Sequence, residues 1–155
     1  MGRFNLVIVF SLACLFAMSQ KKKSIVPQET VAAPLVFSSF WGPVGTGAAL
    51  AAQIAAIAPA AVLVRDNTGK LYAVNAFRIN YKFKSTYRDD ESGQTKSIAD
   101  LRVGDFNNTA QLSTVWAESI KDNVKVGDTI LINKILFRNA MGKLQMAPEL
   151  KISVR

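Results

Sequence analysis

Histidine is absent from this sequence of 155 residues, and cysteine occurs once, as Cys14. Without histidine, the chain has no Ser-His-Asp or Cys-His nucleophilic site and no metal site that needs an imidazole ligand. Because Cys14 lies in an N-terminal apolar segment, the remainder has neither a disulfide nor a thiol nucleophile. These absences exclude most enzyme classes, and we expect a protein without catalytic residues, cofactor or bound metal.

Residues 1–19 have the organisation of a secretory signal peptide. Arg3 supplies a positive start, an apolar run extends from Leu6 to Phe16, and the triplet Ala17-Met18-Ser19 offers a cleavage site before Gln20. A membrane-spanning helix needs about 20 apolar residues, and this run is shorter. The segment therefore predicts export to the periplasm or to the outer membrane.

A second processing site is open at Cys14. The sequence Ser11-Leu12-Ala13-Cys14 resembles the site at which lipoproteins are cleaved and acylated, with Ser11 where leucine is usual. The other interpretation of Cys14 is an apolar residue inside the signal peptide. We expect contact with a membrane only if Cys14 is lipidated.

The net charge is +8, from 19 Lys and Arg against 11 Asp and Glu. A positive protein can bind nucleic acid or an anionic membrane, but an exported protein seldom meets nucleic acid. The basic residues are spread along the chain, apart from Lys21–Lys23 and the series Arg78, Lys82 and Lys84. We therefore expect solvated strand faces and no nucleic-acid partner.

The chain divides at about residue 45. Residues 20–45 have no regular apolar period and are punctuated by proline, which predicts an extended linker. The aromatic residues of this segment, Phe37, Phe40 and Trp41, either pack on the neighbouring domain or contact a partner. Residues 46–155 carry the periodic patterns of a single domain.

The clearest element is a strand at residues 71–86. Apolar and polar residues alternate there with a period of two, which buries one face of a strand and wets the other. The apolar series is Phe77, Ile79, Tyr81 and Phe83, and the polar series is Arg78, Asn80, Lys82 and Lys84. A charged hairpin tip follows at residues 88–93, and residues 96–103 can return as the partner strand.

Two short helices and further strands complete the pattern. Apolar spacing predicts a helix that Pro59 ends, and a second helix capped by Asn108-Thr109 that runs to about Asn123. A change of parity between Ile132 and Ile135 predicts a bulge in a strand at 129–137. The last strand, 144–154, is interrupted by Pro148. Roughly five to seven strands with one or two short helices predict a mainly β fold, a small antiparallel β-sandwich.

The acidic residues and the glycine-rich segment offer little chemistry. Asp89-Asp90-Glu91 are adjacent at a hairpin tip, whereas a calcium loop spreads its oxygen ligands over alternate positions. We interpret them as a solvated turn. The segment from Gly42 to Gly47 precedes a helix but lacks the lysine of a phosphate-binding loop.

The order of elements carries a family resemblance. A long alternating strand at 76–83 is followed by Val126-Gly127-Asp128, an apolar strand, a hairpin at Gly142-Lys143 and a last apolar strand after Pro148. The segment from about Ala48 to Val154 resembles in this order the C-terminal domain of the gliding-motility M protein family (GldM/PorM). That family forms the periplasmic shaft of the type IX secretion machinery of Bacteroidetes.

The resemblance implies an immunoglobulin-like β-sandwich that contacts other proteins and catalyses nothing. In that family the domain meets a ring of outer-membrane lipoproteins. A signal peptide stands here where the shaft protein has an inner-membrane helix, so we expect an accessory or reused domain of the envelope. The expected partners are envelope proteins, which include outer-membrane ring components or a homodimer mate.

The candidate partner surface lies on the solvent-exposed face and at the tip of the long strand. Its residues are Arg78, Lys82, Lys84, Tyr87 and Arg88. For each of them, the competing interpretation is an ordinary solvated side chain. A second hypothesis is a small-ligand domain that holds a lipid or glycan between the Ala-rich segment 48–58 and the sheet. Close packing of those alanines is the competing interpretation.

Overall fold

The computed structural model describes residues 34–155. The predicted signal peptide, Cys14 and the first part of the predicted linker lie outside these residues. The described chain contains eight strands and two helices, in the order β1 Phe37–Trp41, β2 Gly47–Ala49, α1 Ala51–Ile57, β3 Val62–Asp66, β4 Leu71–Arg88, β5 Thr95–Asn107, α2 Thr114–Asn123, β6 Thr129–Arg138, β7 Leu144–Met146 and β8 Leu150–Val154. The predicted mainly β, sandwich-like fold with short helices is confirmed.

The strands form one curled sheet with the order β1-β3-β4-β6-β8-β2, in which β5 also pairs with β4 and β7 with β6. Every pairing is antiparallel except that of β2 with β8. The first residues of β4 pair with β3, and the residues from Ala76 onwards pair with β5. The strand β4 therefore belongs to both halves of the sheet, and the bend between the two halves lies within it.

The predicted bulge in β6 is confirmed and helps to make this bend. Ala76 and Arg78 of β4 face Leu136 and Asn133 of β6, so that β6 has one extra residue between them. Lys134, within this step, has a φ of 50°, which is uncommon for a residue other than glycine. The extra residue restores the inward direction of the apolar side chains on both sides of the bend.

One apolar core fills the inside of the curled sheet. Alternate residues of β3, β4, β6 and β8 point into it, and the helices add Ile54 and Ile120. The Ala-rich helix α1 buries Ile54 and Ile57 in this core, and Ala58 directly after it is also buried, so this segment packs closely against the sheet. The core members with no exposed surface include Trp41, Ile79, Ile130, Ile132, Ile135, Phe137, Leu150 and Ile152.

The predicted domain boundary at residues 45 and 46 needs correction. Phe37–Trp41 lies inside the predicted linker, yet it forms β1 and pairs along its whole length with β3. Trp41 is completely buried, and its indole N–H donates to the carbonyl of Ala60 at 3.1 Å. Packing on the domain is therefore the role of Trp41, and the sheet begins at Phe37.

The start of the second helix also differs from the prediction. Asn108 and Thr109 do not cap it, because α2 begins only at Thr114. The N–H of Thr109 donates to the carbonyl of Asn75, and the carbonyl of Ala110 accepts from Val62. These bonds tie the segment after β5 to the sheet, and Asn108 turns the chain with a φ of 57°.

Asp66 fixes the turn between β3 and β4. Its carboxylate accepts hydrogen bonds from the Thr68 hydroxyl, from the Tyr72 hydroxyl and from the backbone N–H groups of Thr68 and Lys70. These bonds favour the ionised carboxylate, and they lower the pKa of Asp66 from 3.8 to about 2. The same bonds close the turn that brings β3 and β4 together.

We expect the Asp66 contribution to stability to be lost in acid. A lowered pKa in the folded state means that this contribution is present above pH 3.8 and disappears as the pH falls towards 2. In urea unfolding, the stability difference between the wild type and Asp66→Asn should shrink over this window. A difference that stays constant from neutral pH to pH 2 would contradict the assignment.

Candidate interaction surface

The hairpin of β4 and β5 projects beyond the rest of the sheet. Pairing of β4 with β6 ends at Lys82 and Thr129, whereas pairing with β5 continues to Arg88 and Thr95. Six residue pairs, from Phe83 to Arg88 on β4, therefore form a two-stranded ribbon of about 20 Å. We call residues 83–100 the arm.

The acidic cluster closes the tip of the arm as a turn. The N–H of Asp89 donates to the carbonyl of Gln94, and the N–H of Gly93 donates to that of Asp89. The carboxylate of Asp89 contacts the ammonium group of Lys96 and accepts from the Ser92 hydroxyl at 2.8 Å. The Lys96 hydrogen bond is the main cause of the lowered pKa of Asp89. Among residues 34–155, no group of three or more Asp, Glu, His or Cys is placed to hold a metal ion.

The structure brings three of the five predicted surface residues together. Lys82, Lys84 and Arg88 occupy alternate positions of β4, so they share the outer face of the sheet, and all three are exposed. Within the described chain, none of the three forms an ion pair. Tyr87 has odd parity and lies on the opposite face, where it is 49% exposed.

Arg78 shares the outer face but is already engaged. Its guanidinium donates to both carboxylate oxygens of Asp105, at 2.6 and 2.8 Å. This bidentate pair lowers the pKa of the Asp105 carboxyl, chiefly through the hydrogen bond from Arg78. Arg78 therefore joins β4 to β5 across the sheet, and its charge is largely neutralised locally.

Two apolar residues on this face were missed by the sequence analysis. Leu101 lies opposite Lys82 and Val103 lies opposite Asn80, and their exposed fractions are 57% and 48%. With Leu131, Lys151 and Lys82, Leu101 lines a shallow depression of about 370 Å³. The sequence pattern that could have identified them is the alternation of Leu101 and Val103 in β5, because residues two apart on a strand lie on the same face.

The base of the arm is anchored by a buried hydrogen bond. The Tyr81 hydroxyl donates to the Asp128 carboxylate at 2.7 Å, and the same oxygen accepts from the N–H of Lys125 at 3.0 Å. Burial is the main reason that the pKa of Tyr81 is raised well above its ordinary value. Arg102 adds to the anchor, because its guanidinium lies over the aromatic ring of Phe83, 5.2 Å from the ring centre.

The helix α2 lies against the inner face of β5. A Cβ atom at Gly104 would stand 2.8 Å from the Trp116 ring, so only glycine permits this approach. Arg102 donates to the Ser119 hydroxyl at 2.6 Å on the same face. Between α2 and β5, a groove of about 320 Å³ is lined by Arg102, Val103, Val115, Trp116 and Ser119.

No protein-family model matches the chain, and no curated protein matches it significantly. The resemblance to the GldM/PorM family therefore stays a prediction. Neither helix in the described part of the chain is long and apolar enough to cross a membrane.

We expect Gly104→Ala to destabilise the protein by about 1–3 kcal/mol, because the added methyl group overlaps the Trp116 ring. The loss should be smaller when Trp116→Leu is also present. Gly45→Ala is a matched control, since its Cβ would meet only the Phe40 ring at 3.4 Å. Urea unfolding of the wild type, Gly104→Ala, Trp116→Leu and the double variant measures the coupling, with Gly45→Ala alongside. Equal losses for Gly104→Ala with and without Trp116 would contradict the close approach.

Proposed function

We propose that this protein is an exported, non-enzymatic interaction domain of the cell envelope. The arm and the adjoining outer face of β4 would bind an acidic surface of a partner protein. The observation that carries this proposal is the projecting ribbon: Lys84 and Arg88 stand exposed on its outer face, and Lys82 and Leu101 continue that face at its base. Cations around an exposed aliphatic side chain fit an acidic surface with an apolar centre.

The form of the arm supports binding to a macromolecule. A two-stranded ribbon is only marginally stable alone in water, so a projecting ribbon is usually held at its base or covered. Tyr81 and Arg102 hold the base here, through the contacts with Asp128 and Phe83. The outer half stays open to solvent on both faces, which suits a partner that completes its burial.

The compartment and the partner class come from the sequence. The signal peptide predicted at 1–19 supports export, and the resemblance to GldM/PorM supports envelope partners such as outer-membrane ring components. An accessory role beside type IX secretion or gliding machinery follows from that resemblance. A lipid or glycan ligand is less favoured, because Ile54 and Ile57 of α1 fill the core at the place expected for it.

Charge reversal on the outer face tests the partner surface. We expect Lys82→Glu/Lys84→Glu to reduce the recovery of partner proteins about tenfold in affinity purification from the native host, because an acidic partner is then repelled. Lys121→Glu/Lys143→Glu is the matched control, with the same change of charge at exposed sites elsewhere. If both double variants recover the same proteins as the wild type, this face is not the partner surface.

The N-terminus of the recovered protein tests export separately. We expect mass spectrometry to find a chain that begins at Gln20, or a lipid-modified chain that begins at Cys14 if the alternative site is used. Either terminus requires removal of the leader by a signal peptidase. An intact Met1 on the purified protein would contradict export, and with it the envelope assignment.

A further inference from the structure

The outer edge of β5 is an unpaired strand edge. Within residues 34–155, β5 pairs only with β4, over its 13 residues. The N–H of Leu101 donates to the side chain of Asp100 at 2.9 Å, so it does not point towards β4. In an antiparallel strand the N–H and C=O of one residue point to the same side and alternate along the chain. Ala99, Leu101 and Val103 therefore turn their backbone groups towards the open edge.

We propose that a second copy of this chain occupies this edge. The two β5 strands would pair antiparallel around a two-fold axis through Leu101, so that the sheet continues from one copy into the other. An open edge of this length is a template for strand addition. This proposal concerns the backbone edge of β5, whereas the proposed function concerns the outer face of the sheet, so the two can fail separately.

Charge complementarity selects this axis. Around Leu101, Asp100 lies opposite the partner's Arg102, and Arg102 lies opposite the partner's Asp100, which gives two ion pairs on the inner face. These positions form the non-hydrogen-bonded type of pair, in which side chains are closest, at a Cα separation of about 4.5 Å. An axis at Asp100 would place that carboxylate against its own copy. An axis at Ala99 would oppose Lys96 and the partner's Arg102.

Shape complementarity supports the same register. Ile98, which is 53% exposed on the inner face of the arm, would lie opposite the partner's Gly104. The Trp116 ring occupies the position that a Gly104 side chain would take, and the groove of about 320 Å³ beside it is bordered by Val115 and by that ring. Val115 is itself 75% exposed. An aliphatic side chain from the second copy would cover this apolar groove.

The pairing also accounts for the present contact of Asp100. Its carboxylate now accepts the N–H of Leu101, which has no backbone partner on the open edge. In the pair, the carbonyl of the partner's Leu101 would accept that N–H and release the carboxylate. Arg102 gives one nitrogen to Ser119, which leaves further guanidinium N–H groups for the released carboxylate.

The axis places each arm beside the body of the other copy. Residues 96–100 of one β5 lie opposite 102–106 of the other, so the two-stranded arm gains a third strand. A ribbon that is marginal alone becomes part of a wider sheet. The second copy therefore adds a strand beside residues 96–100, where the two-stranded arm has an open edge.

Oligomeric state measured by sedimentation tests the proposal on the whole purified protein. We expect a concentration-dependent dimer. Asp100→Arg and Arg102→Asp should each weaken it about tenfold or more, because like charges then meet across the axis. A mixture of the two variants should form a heterodimer, since every pair across the axis is again of opposite charge. The double variant Asp100→Arg/Arg102→Asp should restore the homodimer.

Lys82→Glu/Lys84→Glu is the control for the outer face and should leave the dimer intact. Circular dichroism checks that each variant folds, which matters for Arg102 because of its contact with Ser119. A wild-type protein that stays monomeric at every concentration overturns the proposal. So does a wild-type dimer that Asp100→Arg leaves unchanged, or a mixture of the single variants that stays monomeric.

Discussion

The length of β4 is the constraint on which the other elements depend. Its 18 residues exceed what any single neighbour pairs: β3 pairs with its first residues, β6 with residues from Val74 to Lys82, and β5 with residues from Ala76 to Arg88. A strand this long must bend to enclose a core, and the irregular register near Ala76 with the bulge at Lys134 permits that bend. The arm exists because β4 and β5 continue beyond the last residue that β6 can pair.

The sequence predicts the elements whose signal is local. The alternation from Phe77 to Phe83 specifies β4, because a half-buried strand must present a period of two. The parity change after Ile132 predicts the bulge for the same reason. Pro148 separates β7 from β8, since proline cannot donate to the ladder within a paired strand.

Elements whose conformation depends on residues distant in the chain cannot be predicted from a local sequence pattern. The segment Phe37–Trp41 is a strand because β3 lies beside it. The prolines on either side of this segment led instead to the prediction of a linker. Asn108 and Thr109 have the chemistry of a helix cap, but backbone bonds from Thr109 to Asn75 and from Val62 to Ala110 hold this segment on the sheet. The five candidate surface residues all lie on β4, yet pleating moves Tyr87 to the other face and Asp105 neutralises Arg78.

The short sequence Ala99-Asp100-Leu101-Arg102-Val103 links the two proposed surfaces. Its odd positions turn their side chains outward, beside the basic residues of β4, while its even positions turn an acid and a base inward. A two-fold axis through Leu101 is perpendicular to the sheet, so it keeps the outer faces of both copies on one side. Lys82 and Lys84 would then appear twice on a continuous surface, with Leu101 and its copy at the centre. A partner with two acidic sites at matching separation would bind this surface more tightly than either site alone, because the second contact forms at high effective concentration.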